Sequence, residues 1–211
     1  SLDQIRPEPQ VVDNYEIGAE ALWNQADLAL TLFYSESELG TQLGSAQANE
    51  PIPVLRSPEK IYGFEAEFNV YPTSDLSTGG TLTWLEGKVD SDDDGSYEDY
   101  LLGNRIPPLK LTGYVEHQTN ARWSNRLQAL YSGDRNRFGS DASGFGKGEV
   151  ESFTVVDLIS AWQTRYGDVT LAVNNLFNED YFPVISQMYN FDGYYTTAPG
   201  RSVKLSYGLD W

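Results

Sequence analysis

The chain has 211 residues, is 40% hydrophobic and 13% aromatic, and carries a formal net charge of −17 with no Cys. That aromatic content, spread over patterned segments, excludes a disordered acidic chain, and the missing basic footprint excludes a nucleic-acid binder. No apolar run approaches the roughly 18 residues of a membrane-spanning helix, so a membrane protein of this sequence must span with strands.

The first residue, Ser1, is not followed by a charged and apolar leader, which reads as a mature protein or a fragment. The first clear element holds Tyr15, Ile17, Ala19, Ala21 and Trp23 at every second position, with Asn14, Glu16, Gly18 and Glu20 between them. Period-two alternation sorts the two sets onto opposite faces of a strand. A short turn at 24–27 leads to a second strand with Leu28, Leu30, Leu32 and Tyr34 on one face. In the third, Tyr62, Phe64, Ala66, Phe68 and Val70 oppose Gly63, Glu65, Glu67 and Asn69, which turns two carboxylates away from the apolar side. Further strands read at about 78–89, 105–116, 125–137, 152–163, 169–176 and 200–211, nine in all. The last places Val203, Leu205, Tyr207, Leu209 and Trp211 on one face. Such a strand packs over a soluble core or faces lipid; ending on an aromatic residue in phase with the pattern favours lipid, because soluble domains usually end in a polar tail.

Connection lengths alternate too. Short links at 24–27, 72–77, 118–124 and 164–168 are interleaved with long ones at 36–56, 90–104, 138–151 and 178–199. Outer-membrane barrels sort their connections in this way, with short periplasmic turns and long outer loops. Trp23, Trp84, Trp123, Trp162 and Trp211 fall mostly near strand ends, the place of an aromatic girdle, although a soluble core also buries Trp. Single-chain bacterial barrels close on an even strand number, so nine means one strand miscounted or a part of something larger.

Local chemistry is sparse. Asp90, Asp92 and Asp94 alternate ahead of Gly95 in a long loop, as in the first half of a calcium-binding loop, but Leu101 stands where a bidentate Glu belongs. The loop reads as a calcium site, as a solvated acidic tip, or as a segment bridged by divalent ions to anionic lipopolysaccharide. With His117 the sole His and no Cys, neither a His-based metal site nor a Ser-His-Asp triad nor thiolate chemistry is available, and hydrolysis is not expected. Gly144, Gly146 and Gly148 lie in a loop and read as flexible rather than as a phosphate cradle. Tyr131, Arg135, Arg137, Tyr189, Tyr194 and Tyr195 collect where strands enter long loops. Aromatic faces and guanidinium donors suit a bulky anionic chelate, while girdle Tyr and lumen-pairing Arg account for the same residues without a ligand.

The run Val173-Asn174-Asn175-Leu176-Phe177-Asn178-Glu179-Asp180-Tyr181, followed by Ala198-Pro199-Gly200-Arg201-Ser202 and an aromatic terminal strand, resembles the closing hairpin of TonB-dependent outer-membrane receptors. Segments 12–18, 32–35 and 56–67 resemble mid-barrel strands of that family. The resemblance implies an all-β fold: an antiparallel transmembrane β-barrel portion, about nine C-terminal strands of a 22-stranded barrel, spanning 1–211 with the plug and the TonB-contacting segment upstream. It implies energised uptake of a ferric siderophore, with hydroxamate chemistry the first choice over haem, cobalamin or glycan, and with no required cofactor and no catalysis. The implied partners are TonB, outer-membrane lipid and lipopolysaccharide, and the barrel assembly machinery, for which Val203, Leu205, Tyr207, Leu209 and Trp211 would be the assembly signal. A small complete barrel acting as a passive pore or outer-membrane enzyme, and a soluble β-sandwich adhesin, are the alternatives.

Overall fold

The computed structural model describes residues 10–38, 42–43, 54–55, 57–92, 94–138, 145–189 and 195–209. Among the described residues there are twelve strands: β1 (Val12–Trp23), β2 (Ala26–Ser37), β3 (Gln42–Leu43), β4 (Val54–Leu55), β5 (Glu59–Thr73), β6 (Leu76–Val89), β7 (Asp99–Tyr100), β8 (Lys110–Asn120), β9 (Trp123–Ser132), β10 (Phe153–Thr164), β11 (Gly167–Asn174) and β12 (Ser202–Gly208). A single turn of helix, α1 (Val184–Gln187), lies between β11 and β12. Nine long strands form an antiparallel meander in the order β1-β2-β5-β6-β8-β9-β10-β11-β12, with β7 paired to the outer end of β6 and β3 paired to β4 in a separate ribbon. The sheet is unclosed, with β1 and β12 at its edges.

Four hairpins are as tight as a chain allows: Trp23 pairs with Ala26, Thr73 with Leu76, Asn120 with Trp123 and Thr164 with Gly167, leaving two residues in each turn. All four lie at one end of the sheet, and the long connections lie at the other.

The register turns alternation within strands into continuous rows across them. One row runs Ala19, Leu30, Ala66, Leu82 and Leu111, and the neighbouring one runs Ile17, Leu32, Phe64 and Trp84. At the far side Leu127, Leu158 and Val173 meet Val203, while Leu171 meets Leu205 and Val169 meets Tyr207. Along these rows the face is apolar and stays open to the surroundings: Ile17, Leu30, Leu32, Val203 and Leu205 are all exposed. The four described Trp residues belong to it, Trp123 stacked on Trp162 at 6.0 Å near the tight turns and Trp84 against Tyr62 at 6.1 Å near the long loops. No helix among the described residues is long and apolar enough to cross a membrane.

The opposite face is polar. Glu65, Glu67 and Asn69 stand beside Thr81 and Thr83, and Thr112, Tyr114 and Glu116 beside Arg126 and Gln128. Close backbone approach is needed where β6 meets β8: a Cβ on Gly80 would collide with the carbonyl oxygen of Thr112, and the Phe68 ring covers the gap.

Two strand boundaries differ from the sequence-based expectation. The strand expected at 105–116 begins at Lys110, because Pro107 and Pro108 cannot donate to a ladder. Residues 101–106 instead fold back so that Leu101 and Ile106, both buried, pack with Val89, Ile61 and Leu85 over Gly87. The strand expected at 125–137 is β9, which ends at Ser132; beyond it only an isolated Arg135–Val150 bridge continues the pairing.

Candidate functional site

The motif after β11 has a mechanical explanation. Asn175 and Asn178 adopt φ of 51° and 57°, a left-handed conformation that Asn tolerates better than most residues. The buried Asn175 side chain accepts from Glu179 N (2.8 Å) and donates to Glu179 O (2.9 Å), closing a local ring. Its backbone N–H donates to Asp157 Oδ1 (2.9 Å), and Asn178 Oδ1 accepts from Arg201 N (2.9 Å), so one short motif ties β10, the exit of β11 and the entry of β12. Asn175→Ala leaves buried polar groups unpaired and should destabilise the full-length barrel by about 1–3 kcal/mol, read as a lower denaturation midpoint in detergent; an unchanged midpoint would contradict this staple.

The long connections interlock. Gly103 N donates to Gly146 O (2.8 Å), and Gly146 N and Gly148 N both donate to Met188 O (3.0 and 3.1 Å). Gln187, also buried, exchanges bonds with Glu151: its Oε1 accepts from Glu151 N and its Nε2 donates to Glu151 O. Gly146 and Gly148 therefore serve close approach rather than looseness, while Gly144 lies outside the described residues. A Cβ at Gly148 would run into the carbonyl oxygen of Gln187.

Of the six residues expected to touch a ligand, Tyr131 stands in the apolar row beside Leu111 and Thr154, a girdle position rather than one on the polar face. Arg135 is buried: its Nη2 donates to Glu86 Oε1 (3.0 Å) and to the Leu101 carbonyl (3.1 Å). Arg137, with its side chain 58% exposed, shares the same carboxylate at 3.4 Å. Tyr189 packs on Phe145 at 4.7 Å and Tyr195 on Phe182 at 5.5 Å, both within the interlocked loops. Tyr194 lies outside the described residues, as does Trp211 of the terminal strand; Val203, Leu205 and Tyr207 share one face of β12, and Leu209 follows it.

The structure brings Asp90, Asp92 and Asp94 together and adds Glu98, with carboxylate oxygens all within 4.8 Å of one another. Asp90 is buried and its oxygens accept from the N–H groups of Asp94 (3.2 Å) and Gly95 (2.8 Å), so the loop shapes itself around this side chain. Beside this loop, Tyr97 donates to Glu36 (2.8 Å). Burial first, and then that hydrogen bond, push the Tyr97 phenol up to about 12, so it remains a neutral donor over the physiological range.

Sequence reasoning read the polar face but named no binding residue on it. A hollow of about 320 Å³ lies there between β8, β9 and β10, lined by Lys110, Thr112, Tyr114, Arg126, Gln128 and Asp157. Arg126 is paired with Glu116 at 3.2 Å and lies over the Tyr114 ring at 4.0 Å, and Gln128 donates to Asp157 at 3.2 Å. The period that picked out the apolar rows also points to these residues, since they occupy the alternate positions. His117 sits at the tight-turn end, its Nε2 3.6 Å from Asp75.

A nine-stranded meander with one apolar face, tight turns at one end and interlocked loops at the other is a wall of a large barrel. The family described as TonB dependent receptor-like, beta-barrel, matches residues 4–176. The chain belongs to the TonB-dependent receptor family. Its relatives place it in the bacterial outer membrane, with the apolar face towards lipid, the polar face towards the lumen and the long loops outward. It is 30% identical over 208 residues to the ferric aerobactin receptor of Escherichia coli, covering 94% of this chain and 26% of that protein. The chain thus spans about a quarter of the length of the curated relatives it matches. Among solved structures, the copper transporter OprC aligns with a TM-score of 0.79 at 18% identity over 94% of this chain and 31% of its own. The ferric-catecholate import receptor Fiu from E. coli K12 aligns with a TM-score of 0.67 at 22% identity, over 94% and 27%. At those identities the two structures establish the fold.

Proposed function

We propose that the full-length protein takes up a ferric siderophore across the outer membrane, driven through TonB, with a hydroxamate-type chelate as the first choice. The observation that carries this reading is the 30% identity to the ferric aerobactin receptor across 94% of the chain, whereas a copper cargo has only fold similarity behind it. In this reading the described strands form about nine of some 22 strands around a plugged lumen, and other parts of the receptor supply the plug and the segment that contacts TonB. No bond is made or broken. Outer-loop aromatics such as Tyr189 and Tyr195, with Arg137, meet the chelate, and the polar lumen face lines its way inward. Arg135 and Glu86 hold the loop bases in place.

Iron-starved cells carrying the full-length receptor should accumulate a labelled ferric hydroxamate only when TonB and the proton gradient are both intact. Uptake that persists without TonB would replace this reading with a passive pore. TonB-dependent uptake of cobalamin, haem or a glycan, with no ferric chelate taken up, would keep the receptor and overturn the cargo.

A further inference from the structure

The polar face of this wall is divided by charge. On β1, β2 and β5 it carries Glu16, Glu20, Asp27, Glu65 and Glu67, none of them in an ion pair among the described residues. Glu59, at the outer end of β5, is already neutralised by Arg105 at 2.6 Å. The only Lys residues of β1, β2, β5 and β6 are Lys60 and Lys88, which alternate onto the other face with Tyr62, and these strands hold no Arg. The cations of the polar face all lie further along the sheet, at Lys110 of β8, Arg126 of β9 and Lys204 of β12. Lys110 opens β8 at the loop end, is exposed, and enters no ion pair among the described residues. Arg126 stands opposite Glu116, about 20 Å further towards the tight turns on strands that rise roughly 3.4 Å per residue. The hollow of about 320 Å³ lies between the two cations. Arg126 gives Nη1 to Glu116 and lies over the Tyr114 ring, while its buried Nε has no partner among the described residues. The Tyr114 ring is itself held, because its hydroxyl donates to Asn69 Oδ1 (3.0 Å) across β6. That bond passes over Gly79, where a Cβ would collide with the same Asn69 oxygen. A bare backbone at Gly79 therefore lets a side-chain strap fix the platform on which Arg126 rests.

We propose that β8, β9 and β10 form the inward passage for a negatively charged iron chelate along this wall, with Lys110 as its first contact below the loops and Arg126 as its second. The inference rests on the ferric-chelate reading above, and adds the charge of the cargo and its side of the lumen. At physiological ionic strength charges are screened over about 8 Å, so a cargo responds to the stretch of wall it touches rather than to the charge of the whole chain. Beside β1, β2 and β5 an anionic group meets carboxylates; beside Lys110 it meets an ammonium that no carboxylate of the described residues engages. The hollow gives such a group room to pass from Lys110 to Arg126. Passage through successive sites also requires that each contact release. Glu116 on Arg126, and Asp157 held by Gln128 at 3.2 Å, provide that by competing with the anion for the lower cation.

The test uses cells carrying the full-length receptor and two labelled probes, a ferric hydroxamate bearing a free carboxylate and its neutral carboxamide analogue. Surface binding is read in de-energised cells and uptake in energised ones. The Lys110→Gln/Arg126→Gln variant should bind the carboxylate probe within about twofold of the unaltered receptor yet take it up about tenfold more slowly, the scale for losing two charge contacts at a partly wet surface. Uptake of the carboxamide probe should be unchanged, a selectivity that a merely weakened wall would not produce. Lys110→Gln alone, which breaks no ion pair, should slow the carboxylate probe about threefold. The charge-keeping Lys110→Arg/Arg126→Lys variant should restore its rate. Equal slowing of both probes, or unslowed uptake of the carboxylate probe, would overturn the proposal and leave the ferric-chelate reading intact. A loss of surface binding as large as the loss of rate would also overturn it, by moving the two cations into outer capture. Uptake of neither probe by the unaltered receptor would contradict the ferric-chelate reading itself, and this passage with it.

Discussion

Leu30→Arg or Leu82→Arg in the full-length receptor should cost about 2–4 kcal/mol and sharply reduce the amount of receptor at the cell surface. Both residues lie in the row that also holds Ala19, Ala66 and Leu111, midway between Tyr15, Tyr34 and Tyr62 near the long loops and Trp23 near the tight turns. An Arg there puts a charge at the centre of the hydrocarbon, where no water or carboxylate meets it. Glu65→Gln and Glu67→Gln, one position away on the lumen face, should change stability by no more than about 0.5 kcal/mol. Protease shaving of whole cells reads surface levels, and retention of the compact form in unboiled detergent samples reads closure. Equal tolerance of the two sets would mean that the faces are assigned wrongly.

Glu86→Ala should be the most damaging polar substitution, at about 3–5 kcal/mol. Arg135 is buried at 6% side-chain exposure and its guanidinium then keeps only the Leu101 carbonyl. Arg135→Ala should be milder, because Glu86 retains Arg137 at 3.4 Å and the N–H of Gly87 at 3.0 Å. The asymmetry follows from which partner has a second source of compensation. A double Glu86→Met/Arg135→Met variant should recover much of the loss, since a buried ion pair owes little of its stability to the charges themselves. Denaturation midpoints of the four receptors in detergent decide this, and a larger loss for Arg135→Ala than for Glu86→Ala would contradict it.

Strand number, the two faces and the sorting of turns from loops were legible because each depends on a period-two pattern or a length that needs no tertiary information. Phe64, Ala66 and Phe68 share a face in any register. What stayed hidden depends on contacts between distant segments. Ile106 alternates well with its neighbours, yet it belongs to a loop that packs on Gly87, and only the two prolines after it signalled the break. Arg135 reads as a rim cation in sequence, and its burial against Glu86 comes from a residue 49 positions away. Tyr131 lies near a loop in sequence, but the strand period puts it on the face of Leu127 and Ala129. Asn175 and Asn178 carried the family resemblance, and their left-handed backbone explains why that motif takes its form.

The central claim is that one wall separates lipid from lumen, alternating residue by residue, and the chain's lack of Cys allows it to be probed directly. Single Cys residues introduced at 64, 66, 68, 82 and 171, and at 65, 67, 81, 83 and 170, in a full-length receptor otherwise free of Cys, would carry spin labels in reconstituted outer-membrane lipid. The first set should be relaxed by oxygen and shielded from a water-soluble nickel complex, and the second set should show the reverse. A nickel-to-oxygen ratio that fails to alternate along β5 and β6 would contradict the membrane wall itself.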